Sequence, residues 1–74
     1  MRGSYYSFSL VLTPHQSAIL QCVAEGLDYG QIAREFGIQR HTVVHHLQSI
    51  RERLGARTTA QAVYIAVRVG AIRG

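Results

Sequence analysis

The residues best equipped for chemistry are four histidines and eight basic side chains, all of the latter arginine, in a chain of 74 residues with no lysine. His41 and His45 stand at i and i+4, the spacing at which two imidazoles on one helix can share a metal. The glutamate that completes a zinc-protease motif would fall on Thr42, however, and no third ligand lies nearby in sequence. Neither a metal, a cofactor nor an enzymatic reaction is therefore expected. The arginines point elsewhere. With four acidic residues against them the net charge is +4 and the isoelectric point about 10.0, and planar guanidinium forks suit phosphate oxygens and guanine edges. A polyanionic partner fits that balance, although a GC-rich genome would also remove lysines. Cys22 is the only cysteine. It falls in an apolar helical pattern, where a free thiol packs as a small hydrophobe.

The length allows one domain and no deep cleft. At 47% hydrophobic and 16% charged, the chain is too apolar for disorder. Its short apolar run from Phe8 to Leu12 is well below a signal peptide or membrane span, so a cytoplasmic protein without membrane contact is the default. Met1-Arg2-Gly3-Ser4 has the look of a vector-derived leader. Residues 1–11 read as an N-terminal arm and 12–74 as the folded domain.

Four helices follow from the punctuation. Thr13-Pro14-His15-Gln16 provides a capping threonine, proline at the first helical position and glutamine three after the cap; Gly26 ends that helix. Asp28-Tyr29-Gly30-Gln31 repeats the pattern and Gly37 closes it. Only Gly37-Ile38-Gln39 then separates this short helix from the next. Two helices joined by such a glycine-containing turn are a helix-turn-helix signature. The third helix spans Arg40 to Leu54, with Val43, Leu47, Ile50 and Leu54 on one face. His41, Val44, His45, Gln48 and Glu52 gather on the opposite side, which is suited to solvent or a ligand. Thr58-Thr59-Ala60-Gln61 opens a fourth helix that ends near Gly70. It is apolar almost all round, so it must cover the core and something besides. A homodimer partner, met through Tyr64, Ile65, Arg68 and Val69, is the simplest candidate; the alternative cover is the arm from Tyr5 to Leu12.

Leu12-Thr13-Pro14, Ile19-Leu20, Ala24-Glu25-Gly26-Leu27, Ile32-Ala33, Gly37-Ile38, Thr42-Val43, His46-Leu47, Ile50, Leu54-Gly55 and Ala62-Val63 together resemble the LuxR-type (GerE-like) helix-turn-helix domain of bacterial transcription regulators. The resemblance covers roughly Leu12 to Ile72 without a gap. It implies an all-α, four-helix domain that binds double-stranded DNA, with the third helix in the major groove and the fourth pairing subunits. This chain departs from the family pattern at three places. His15-Gln16 replaces an arginine-glutamate pair, Gly30 replaces a lysine, and Val44 replaces the lysine that follows Thr-Val in the third helix. The last change implies different base preferences or weaker binding.

Holding the backbone and reading the bases are separate tasks. Arg40, Thr42, Arg51 and Arg57 flank the third helix and are the expected phosphate contacts. Tyr29 and the free N–H groups opening the second helix add to them, while Arg34 is placed to pair locally. For base reading the candidates are Val44, His45 and Gln48, with His41 near the groove wall. Gln48 suits adenine, Val44 a thymine methyl and His45 a guanine edge. His46, at the rim of the apolar stripe, has the position of a packing residue. If His41 and His45 face phosphates, DNA favours their charged forms and affinity should rise as pH falls from about 7.5 to 6. The competing reading is a protein-interaction module contacting RNA polymerase or another regulator. Nothing resembling a receiver or ligand-binding domain is present, which fits a stand-alone regulator or the C-terminal part of a longer one.

Overall fold

The computed structural model describes residues 11–74, which form four helices: α1 (Pro14–Ala24), α2 (Tyr29–Phe36), α3 (Arg40–Leu54) and α4 (Thr59–Arg68). No strand occurs among the described residues. The architecture is the all-α, four-helix arrangement that the sequence resemblance implies. The arm expected over residues 1–11 lies, apart from Val11, outside the described residues.

The helix starts follow from local chemistry. Thr13 Oγ1 accepts from the Gln16 N–H at 3.1 Å, and Gln16 Oε1 accepts from the Thr13 N–H at 3.0 Å. Asp28 and Gln31 exchange the same pair of bonds at 2.8 and 2.9 Å. Each reciprocal box satisfies two N–H groups that the first turn leaves free, and losing such a cap typically removes about 1 kcal/mol. α4 varies the device. Thr58 caps the Gln61 N–H at 3.0 Å, but Gln61 Oε1 reaches back to the Arg57 N–H at 2.7 Å. α3 alone of the four has no side-chain cap; Gln39 is extended and makes no capping bond.

All four helices end alike. Gly26, Gly37, Gly55 and Gly70 have positive φ, and each is followed by an apolar residue that packs partly against the core (Leu27, Ile38, Ala56 and Ala71). The requirement is sharpest at Gly37, whose φ of 67° and ψ of 35° turn the chain from α2 into α3. There the Ile38 N–H bonds the Ala33 carbonyl at 3.0 Å and the Gly37 N–H bonds that of Arg34 at 3.4 Å. A Cβ at this left-handed position would strain the turn that sets the angle between the two helices.

The core gathers Leu12, Ile19, Leu20, Ile32, Ala33, Val43, Leu47, Ile50, Ala62, Ala66 and Ile72. Val43, Leu47 and Ile50 come from one face of α3, which packs against each of the other three helices. Fully burying each such side chain stabilises the fold by about 1.5–3 kcal/mol. The C-terminal tail is fastened to α1 by Gln21, whose Oε1 accepts from the Arg73 N–H at 2.8 Å while Nε2 donates to the Arg73 carbonyl at 3.1 Å. Cys22 is half-buried beside the core. Burial, then the carboxylates of Glu25 and Glu35, raises its pKa above the ordinary thiol value, so it packs as a neutral thiol.

Candidate nucleic-acid interface

α3 is fixed inward by its apolar row and presents a separate outer face. His41, Val44, His45, Gln48 and Glu52 are all exposed there. Val44 is 41% exposed. The rings of His41 and His45 lie 5.8 Å apart, centroid to centroid, in an edge-on arrangement at 74°. One turn of helix thus carries two imidazoles, with Val44 and Gln48 beside them. Such a surface combines donors, acceptors and an apolar spot, the mixture that base edges and a thymine methyl demand.

The flanking residues differ in their freedom. Arg40 and Arg57 are exposed, whereas Thr42 and Tyr29 are half-buried, Tyr29 against the core. Arg51 is half-buried too, and its Nη1 donates to Thr59 Oγ1 at 3.3 Å. One donor of its fork therefore ties α3 to the start of α4. Arg34 is exposed in the last turn of α2. His46 is half-buried, with its ring 5.2 Å from that of His15, which in turn meets Phe36 edge-on at 5.2 Å. Sequence reasoning gave His46 a packing role but left its partner unnamed, because positions 15 and 46 come together only through the crossing of α1 and α3.

α4 has an unusual cross-section. Its inward positions are small, Ala62 and Ala66, both fully buried, while Tyr64 is 60% exposed and Val67 38% exposed. Ile65 and Val69 are half-buried, and neither is among the side chains packed on the described core. Arg68 Nη1 donates to the Tyr64 hydroxyl at 2.7 Å, with the guanidinium carbon 5.7 Å from the ring centroid. The sequence pattern did not single out Val67, which shares this outer surface and also lines an open groove with Gln21, Ala24, Glu25, Val63 and Arg73. Among the described residues no three His, Cys, Asp or Glu side chains gather as a metal site. No helix there is long and apolar enough to cross a membrane.

Two short helices joined by a three-residue turn, the second with a free polar face and basic flanks, define a helix-turn-helix DNA-binding domain. Residues 10–66 match the family described as bacterial regulatory proteins, luxR family. The chain belongs to that family, and its domain is the DNA-binding one of a regulatory protein. It is 39% identical over 61 residues to the HTH-type transcriptional activator RamA of Corynebacterium glutamicum, covering 82% of this chain and 22% of that protein. It is 37% identical over 59 residues to the transcriptional regulatory protein YdfI of Bacillus subtilis, covering 80% of this chain and 28% of that protein. The probable transcriptional regulatory protein SgaR of Hyphomicrobium methylovorum is 36% identical over 58 residues, covering 78% of this chain and 28% of that protein. The chain thus spans about a quarter of the length of these curated relatives. No solved structure matches it.

Proposed function

We propose that this domain regulates transcription in the cytoplasm by binding a specific double-stranded DNA sequence as a homodimer. The observation that carries the reading is the exposed, chemically mixed face of α3, held by a buried row on its other side. Inserted in the major groove, α3 puts Gln48 against adenine, Val44 against a thymine methyl and His45 against a guanine edge, with His41 nearer the wall. Arg40, Arg57, Thr42 and Tyr29 hold phosphates, and Arg51 adds the donors left free by Thr59. Tyr64, Ile65, Arg68 and Val69 on α4 meet the same surface of a second copy. This pairing supplies the two-fold symmetry that a pseudo-palindromic site mirrors.

Two recognition helices so paired enter successive major grooves about 34 Å apart. The test is selection from a random duplex pool at about 150 mM salt, since lower salt rewards nonspecific charge. Recovery of a two-fold-related motif with half-sites one turn apart is the expected outcome. No enrichment, from protein shown to be folded, overturns DNA reading and favours a module that docks on RNA polymerase or another regulator.

A further inference from the structure

We propose that Gln16 and Ser49 form a positioning pair that fixes where the recognition helix sits along its own axis, so that sequence-specific binding depends on them although neither touches a base. This rests on the DNA-binding reading of α3. Among the described residues Gln16 is the one buried polar side chain, 8% exposed, and its amide is used at both ends. Oε1 closes the capping box on the Thr13 N–H at 3.0 Å. Nε2 donates to Ser49 Oγ, in the middle of α3, at 3.4 Å. The same flank of α3 makes two neighbouring contacts. His46 meets the His15 ring, and Arg53 Nη1 donates to the Val11 carbonyl at 3.4 Å. Positions 46, 49 and 53, three and four residues apart, form one ridge, and the opening of α1 lies along it.

The need for such a pin follows from how α3 is otherwise held. It has no side-chain cap of its own. Its inward row, Val43, Leu47 and Ile50, is apolar, and hydrophobic attraction has no preferred direction. Close packing of that row resists rotation and large slides. Arg51 ties the helix to Thr59 on the α4 side, while the flank facing α1 is held by the bond between Gln16 and Ser49. Hydrogen bonds between fixed groups restrict the small slide that remains. Because the Gln16 backbone is locked in a capping box, its amide transmits the position of α1 to α3. Base contacts need placement within about 0.5 Å, so a slide that barely alters packing still displaces Val44, His45 and Gln48 from their bases. Phosphate contacts by long arginines follow such a slide without loss.

The decisive experiment measures affinity for a selected duplex and for a scrambled duplex across a salt series, alongside thermal unfolding. Ser49→Ala removes the acceptor and leaves the capping box whole. We expect about a tenfold loss on the selected duplex, the size of one misaligned base contact, with scrambled-duplex affinity and salt slope nearly unchanged at a temperature where both proteins are folded. The melting temperature should be a few degrees lower, because the Gln16 amide loses its acceptor. Ser49→Thr and Gln16→Glu, which keep a bond between the two positions, should restore specific binding. In a Gln16→Met background, Ser49→Ala should cost nothing further. Equal losses on both duplexes, no loss on either, or additive losses in the double variant overturn the inference; the last would place Ser49 on the DNA itself. A wild-type protein that does not distinguish the duplexes refutes the DNA-binding reading instead.

Discussion

α3 and α4 pack against the same core and solve opposite problems. α3 sends Val43, Leu47 and Ile50 inward and keeps His41, His45 and Gln48 outside, the ordinary division of an amphipathic helix. α4 inverts the sizes, with Ala62 and Ala66 buried and Tyr64 and Val67 exposed. Alanines facing in allow close approach to the core but contribute little area, and the bulky side chains facing out bury little of their surface in the monomer. The contrast supports the division of roles proposed for the two surfaces. A polar, basic-flanked helix face matches a wet, charged groove, and a helix that wastes its large residues on solvent matches another protein surface.

The comparison breaks most severely if the shared core is damaged. Leu47→Ala should lower stability by about 2–5 kcal/mol, a large part of what a domain of this size has, and denaturant unfolding will measure it. Charging α4 separates the two roles. Tyr64→Glu should retain helical circular dichroism, sediment as a monomer and lose on the order of 100-fold on a two-half-site duplex through the lost effective concentration of a second site. Single half-site binding should persist. On α3, Gln48→Ala should lose about 1–3 kcal/mol of discrimination at one base position, whereas Arg57→Ala should weaken all duplexes alike and reduce the salt slope by about 1. Val44→Lys should tighten binding to scrambled duplexes and steepen their salt slope by about 0.9, while losing preference for the base that Val44 meets on the selected duplex.

The smallest effect concerns Cys22, which lies outside both surfaces. Its thiol is raised by burial and then by Glu25 and Glu35, so the thiolate is disfavoured in the fold. Its alkylation near neutral pH should be slower than that of the unfolded chain. The unfolded chain releases the proton first, at about pH 8.5. Stability linked to this group is therefore intact below that pH and declines as pH rises towards the higher folded value. Cys22→Ala should remove that decline, as read from melting temperatures between pH 7 and about 9.5.

Much of this was legible in the sequence because it is local. Thr13 with Gln16 and Asp28 with Gln31 write their capping boxes within four residues, and Gly37-Ile38-Gln39 writes the turn. The period of Val43, Leu47, Ile50 and Leu54 is enough to assign the inner and outer faces of α3. What stayed hidden is tertiary. Nothing in the chain says that Gln16 will lie beside Ser49, or His15 beside His46, since those pairs depend on how α1 crosses α3. The half-burial of Arg51 and its bond to Thr59 were hidden for the same reason. α4 was obscure in a different way, because a segment apolar at nearly every position has no periodicity from which to read an inner side; only the small size of Ala62 and Ala66 marks it.

The most direct test of the account is a backbone-amide NMR titration of the labelled domain with the selected duplex. The account predicts that the large shifts fall on α3 from Arg40 to Glu52 and at Arg57, with Tyr64 and its neighbours on α4 unmoved between free and bound dimer. Shifts concentrated on α4 or the groove of Gln21, Val63 and Val67, with α3 silent, would contradict it.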